Sequence, residues 1–253
     1  MSIRKTLLPV IFFFFANTLL MAQLVNVEKS RKENKEGLQG LVQLNLSLTK
    51  NTRQIFETGT QAQIQYNKNK HTVLLLNTLN FMRVEGDDLI NNGFQHLRYN
   101  FNLSREFLIF EAFTQHQYNS IRLLQRRFLL GAGPRLRIWE NDHFAFFFAP
   151  LVMYESEVFN DEKNTKTDKI KGDLYISASY QLDERINFSH TTYYQPDFKY
   201  FDQFRLSSET GLEMKFTDKF SFVVSYDLAY DSHPPGDIPK LFYVLKNGIQ
   251  YGF

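Results

Sequence analysis

The sequence contains no cysteine. That excludes a disulfide framework, thiolate metal sites, a catalytic thiol and a lipid-bearing cysteine at an export site. Charge of one sign is also lacking: 29 Lys and Arg against 27 Asp and Glu leave a net charge of +2, with no compact basic cluster. A nucleic-acid partner is therefore not expected. After residue 22 no run of about 18 or more apolar residues occurs, so a polytopic helical membrane protein is excluded. No segment of the chain beyond it carries a convincing helical apolar stripe at i, i+3, i+4, i+7.

Aromatic residues are abundant instead. Phe (26), Tyr (13) and Trp (1) make up 16% of the 253 residues, although the hydrophobic fraction is only 43% and the mean hydropathy is −0.35. Disordered chains lack aromatics, so disorder is excluded. A chain rich in aromatics yet polar on average needs an architecture that separates the two kinds of residue.

Residues 1–22 read as a secretory signal peptide. Arg4 and Lys5 precede an apolar run from Leu7 to Met21, and Ala22 offers a small residue at the cleavage point, although Leu20 meets the small-x-small rule only by half. Residues 23–37 are charged and irregular and read as an exposed periplasmic arm.

Residues 38–253 are dominated by period-two alternation. Phe56, Ala62, Ile64 and Tyr66 oppose Glu57, Gln61, Gln63 and Gln65; Phe220, Phe222, Val224, Tyr226, Leu228 and Tyr230 oppose Ser221, Ser225, Asp227 and Asp231. Twelve such strands are expected, centred near residues 43, 60, 77, 98, 112, 130, 149, 176, 191, 208, 225 and 247, with ten to fourteen as the range. The third and seventh are apolar on both faces, which leaves their orientation open. Segments of roughly 10 to 14 residues suit strands that cross a bilayer, which need about 9 to 11, better than soluble strands of about 5 or 6. The expected fold is all-β: a single antiparallel up-and-down transmembrane β-barrel, apolar outside and polar within.

Short turns at 67–70, 104–106, 140–143, 183–184 and 217–219 alternate with longer loops at 85–92, 155–169, 195–199 and 231–240. This matches short periplasmic turns and longer extracellular loops, and twelve strands place both termini in the periplasm. The last strand alternates Leu241, Tyr243, Leu245, Ile249, Tyr251 and Phe253. Tyr251 and the terminal Phe253 resemble the signal by which the barrel-insertion machinery recognises outer-membrane barrels.

The stretch Arg126-Arg127-Phe128-Leu129-Leu130-Gly131-Ala132-Gly133-Pro134-Arg135-Leu136 resembles the central strand of the salt-induced outer-membrane proteins, a bacterial family of unknown function. Tyr230-Asp231-Ser232-His233-Pro234-Pro235 resembles that family's loop before its last strand, and Ile249 to Phe253 its closing strand. The resemblance runs from about residue 120 to the end, and the first three strands match only in pattern. It implies an outer-membrane β-barrel and brings no catalytic residues.

Arg127, Arg135 and Arg137 share one face of the sixth strand, opposite Phe128, Leu130, Ala132, Leu136 and Ile138. A charged side chain on the lipid face costs about 2–4 kcal/mol, so these arginines are expected in the lumen. Arg205, Glu209 and Glu213 on the tenth strand are expected there too. They suit an interior ion-pair network that fills a narrow barrel, or the lining of a pore. His190 and Thr192 are assigned to the lipid face of the ninth strand; a hydroxyl nucleophile there would need a base and a third, orienting group, and no outward acid or amide partner is evident. His116, His143 and His233 lack metal-site spacing, and 155–169 reads as a solvated loop. No metal or cofactor is expected.

The function expected is that of a non-enzymatic outer-membrane barrel of the Gram-negative envelope, a narrow solute channel or a structural or stress-related component. Its partners are outer-membrane lipid, lipopolysaccharide, the insertion machinery and an unidentified small solute. Two alternatives are an outer-membrane lipid hydrolase using His190, and a soluble periplasmic barrel or sandwich that holds an apolar ligand with its apolar face turned inward.

Overall fold

The alternating segments form twelve antiparallel strands in the computed structural model, which describes residues 36–50, 54–84, 87–103, 107–120, 122–234, 236 and 238–252. The strands are β1 (Gly37–Lys50), β2 (Gln54–Lys68), β3 (His71–Val84), β4 (Asp87–Asn102), β5 (Leu108–Asn119) and β6 (Leu124–Glu140). They continue as β7 (Phe144–Phe159), β8 (Lys166–Gln181), β9 (Ile186–Pro196), β10 (Phe204–Lys215), β11 (Phe220–Asp231) and β12 (Leu241–Gly252). Each strand pairs with its sequence neighbours, and β1 pairs with β12, which closes the barrel. The closing seam is Leu41↔Gly252, Val42↔Tyr251 and Gln43↔Gln250. The signal peptide, nearly all of the arm, and Phe253 lie outside the described residues. Gly37, taken from sequence as the last residue of the arm, is the first of β1.

The outer surface carries the aromatics. Ile64, Tyr66, Leu97, Tyr99, Leu130, Tyr154, Phe188, Tyr194, Tyr226, Tyr243 and Tyr251 all stand exposed, on strand positions that alternate with buried ones. Neighbouring strands pair along nearly their whole length, while the seam between β1 and β12 pairs over Leu41–Gln43 and Gln250–Gly252; backbone pairing of this kind is what lets such a surface stand against hydrocarbon. A soluble barrel would turn this face inward; the chain does the opposite.

Three of the sequence readings need correction. Residues 87–92 were expected in a loop and instead begin β4. The expected loop 155–169 contracts to residues 160–165, because β7 runs on to Phe159 and β8 starts at Lys166. Charge made these segments look solvated, whereas period-two alternation continues through the end of β7, where Glu155 and Glu157 are buried. The link between β9 and β10, residues 197–203, is longer than expected.

The interior is also less polar than expected. Phe113, Leu129, Ala149, Leu151, Met153, Tyr175 and Tyr193 form a buried apolar cluster, and Leu74, Leu76 and Phe94 a second. Both clusters sit inside the barrel, since their neighbours Leu75, Leu130, Val152 and Tyr194 are exposed on the outside. This settles the two ambiguous strands: β3 turns Leu74 and Leu76 inward, and β7 turns Ala149, Leu151 and Met153 inward. A closed barrel of this size leaves a lumen that side chains can fill, and apolar side chains fill part of this one.

Backbones approach closely where β6 meets β7. A Cβ on Gly133 would lie 2.9 Å from both the Leu151 Cα and the Pro150 carbonyl oxygen, and 2.6 Å from the Phe113 ring if placed on Gly131. At Gly133 the obstacle is backbone, which cannot swing aside. Gly133→Ala is therefore expected to cost about 1–3 kcal/mol, the usual penalty for overpacking. Equilibrium unfolding followed through the fluorescence of the single tryptophan, Trp139, measures it.

Candidate functional site

The ends of the barrel differ. One carries both described termini; the other, the distal end, carries the links 160–165, 197–203 and 232–240. Just inside the distal end, strand positions that alternation points inward bring six charged side chains together. Glu155 of β7 is completely buried and receives Arg127 of β6, Lys171 of β8 at 2.5 Å and Arg205 of β10 at 2.9 Å. Arg205 also reaches Glu157 at 2.7 Å and Asp231 of β11 at 2.7 Å. Gln195 of β9 joins Arg127 to Asp173. The network thus takes members from β6 through β11, half of the wall.

The other half is reached from the β5–β6 turn. The Arg122 guanidinium stands 4.7 Å from the ring centre of Phe242 on β12, almost diametrically across the mouth. Enclosure, with the guanidinium groups of Arg205 and Arg127 nearby, pulls its pKa down to about 10, so it stays charged at neutral pH. Unpaired, charges this deeply buried would be prohibitively costly; mutual pairing and hydrogen bonding make them tolerable.

The six candidate residues from the sequence do not form one site. Arg127 and Arg205 meet in the distal network. Arg135 is completely buried nearer the termini, its guanidinium 3.6 Å from the Phe147 ring centre, a cation–π geometry. Arg137 pairs with Glu140 at 2.7 Å. Glu209 is buried in mid-strand, in register with Thr191 and Asp227. Glu213 accepts hydrogen bonds from Ser221 at 2.7 Å and Gln250 at 3.0 Å near the proximal end. Glu155, Glu157, Lys171 and Asp231 were missed as site residues. The signal for the two glutamates was present: Met153, Glu155, Glu157 and Phe159 continue the inward register of β7.

A second buried group lies below the apolar cluster. Glu111 of β5 pairs with Arg98 at 3.3 Å, and the Tyr175 hydroxyl donates to it at 2.9 Å. Tyr175→Phe removes that donor from a completely buried carboxylate. The expected cost is about 1–3 kcal/mol, measured by equilibrium unfolding, and a neutral result would mean that water replaces the hydroxyl.

His190 does face outward, with Phe188 and Tyr194. Its Nδ1 is 2.9 Å from the Thr210 hydroxyl and its Nε2 2.9 Å from the Thr192 hydroxyl. Thr210, on β10, is the partner that sequence reading did not find. Each ring nitrogen has a hydroxyl partner, which makes a satisfied polar pair in an apolar surface. His116 lies near the end of β5, and its Nδ1 is 2.8 Å from Gln95 Oε1. Asp161 in the link 160–165 accepts from the Thr165 hydroxyl and backbone N–H, which holds its carboxyl below the usual range. Among the described residues, no group of three or more His, Asp or Glu has the arrangement to hold a metal ion.

A family model described as a protein of unknown function, DUF481, matches residues 42–253. The chain belongs to that family. Among curated proteins none matches this DUF481 member. Among solved structures it is similar to the translocator domain of the autotransporter NalP from Neisseria meningitidis. The identity is 10%, 89% of this chain and 91% of that one are covered, and the TM-score is 0.53. It is also similar to the NanC porin (9% identity, 85% and 97% covered, TM-score 0.49) and to the KdgM porin (9%, 85% and 99%, 0.46). At these identities the likeness to the NalP domain establishes the closed-barrel fold and nothing more.

Proposed function

We propose that this chain is a non-enzymatic β-barrel of the bacterial outer membrane, and that it acts as a narrow channel closed to large solutes at its outer end. Residues 1–22 direct export, the termini lie in the periplasm, and the distal end faces outward among lipopolysaccharide. The aromatic exterior supports the membrane setting, because a lipid-facing apolar surface with aromatics is what a spanning barrel requires. One observation carries the narrowness: the Arg127–Glu155–Lys171–Arg205–Glu157–Asp231 network fills the distal lumen along half the wall, while Arg122 reaches Phe242 on the other side. A role in salt response rests on the short motif resemblance alone.

The protein folded in detergent is expected to migrate differently on a gel before and after boiling, and to conduct only weakly in a planar bilayer. An unchanged band contradicts the barrel in solution, and a large steady conductance contradicts the closed mouth.

A further inference from the structure

Above the distal network lies a cavity of about 90 Å³ that opens at the mouth. Its lining includes Lys169, Lys171, Arg205, Glu157, Asp231, Thr167 and Gln203. The acids are occupied: Arg205 engages Glu157 and Asp231, and Asp231 also accepts the backbone N–H of His233. Hydrogen-bonding capacity therefore remains on the donor side. Each lysine ammonium carries three N–H groups; Lys171 engages Glu155 at 2.5 Å, and Lys169 engages Gln203 at 2.8 Å and Asp197 at 3.3 Å, which leaves donor capacity on both. The carbonyl of Gln203 accepts from Lys169 at 2.8 Å, which turns its amide NH₂ to other partners. The Thr167 hydroxyl is enclosed and has no hydrogen-bond partner among the described residues. An enclosed hydroxyl without a partner is costly unless something fills that role.

We infer that this cavity is a binding site for the carboxylate end of a small solute. The reading rests on the channel proposed above and names what enters it. A carboxylate accepts from the ammonium groups and from Thr167 at once, with charge-assisted hydrogen bonds as the strong element. The volume equals roughly three water molecules' share of liquid, which suits a carboxylate and the atoms next to it. Because the cavity opens at the mouth, the remainder of the solute projects outward. Glu155, held below by Arg127, Lys171 and Arg205, is an internal carboxylate already bound in the manner the solute would adopt.

Calorimetric titration of the full chain folded in detergent tests this, with glucuronate as probe and glucose as its uncharged counterpart. Glucuronate is expected to bind and glucose not. Lys169→Gln is expected to weaken binding about tenfold, the fold-change of one charge-assisted hydrogen bond, and Thr167→Val about threefold to tenfold. Lys199→Gln, a cation of the 197–203 link that does not line the cavity, is expected to leave it unchanged. Absence of glucuronate binding, equal binding of glucose, or equal weakening by Lys199→Gln and Lys169→Gln would each overturn the site. Gel migration and bilayer conductance of the same preparation judge the barrel and channel separately, so either reading can fail alone.

Discussion

Replacing Glu155 with Gln is expected to destabilise the barrel by about 3–5 kcal/mol and to raise its conductance. The carboxylate is completely buried and is shared by Arg127, Lys171 and Arg205. Glutamine keeps the shape and removes the charge, so three cations are left facing Glu157 and Asp231 alone. Removing one partner of a buried ion pair strands the others, and that loss exceeds whatever the intact pair contributes. Mutual repulsion should then push Arg127 and Arg205 apart and widen the mouth. Unfolding in lipid vesicles, followed by Trp139 fluorescence, reads the stability; planar-bilayer current reads the opening. A change below about 1 kcal/mol would mean that the network is as solvated as a surface cluster. The double variant Glu155→Gln/Lys171→Met removes one of the stranded cations and should recover part of the loss. A purely additive result would show the two side chains to be uncoupled.

How this site was hidden in the sequence has a physical explanation. Alternation is a local signal, and it located twelve strands and put Arg127, Arg135, Arg137 and Arg205 on the face opposite their apolar neighbours. Grouping is not local. Arg127 and Arg205 meet because β6 and β10 curve toward one lumen, whereas Arg135, only eight residues from Arg127, ends on Phe147 elsewhere in the same interior. Glu155 and Glu157 were passed over because acidic and basic residues between 155 and 169 resemble a solvated loop in composition. Inside a closed barrel, charge density marks a network as readily as it marks water. The apolar interior of β7 had the converse difficulty: Ala149, Leu151 and Met153 carry no polar neighbour to say which face is inside. The partner of His190 was illegible for a similar reason, since Thr210 stands opposite it only through the β9–β10 register.

Leu130→Arg should reveal the two faces of β6 most directly. Leu130 is 56% exposed on the outer surface of mid-strand, while Arg127 and Arg135 on the same strand are buried inside. The same residue type is thus tolerated three positions away and excluded here. In the lumen an arginine finds Glu155 or the Phe147 ring; on the outer face of a spanning strand it finds hydrocarbon. The expected cost is about 2–4 kcal/mol near the bilayer midplane, falling toward zero at the interfaces. Trp139, 60% exposed and close to the proximal end of β6, supplies a position near an interface: Trp139→Arg should cost at most about 1 kcal/mol by the same depth dependence. That variant removes the fluorophore, so its unfolding is followed by heat-dependent gel migration, with Leu130→Arg measured the same way. A large penalty at 130 and a small one at 139 is the signature of a bilayer gradient across the outer surface. Equal penalties at the two positions would mean that the exposed aromatic face does not meet lipid, and the membrane setting would fail with it.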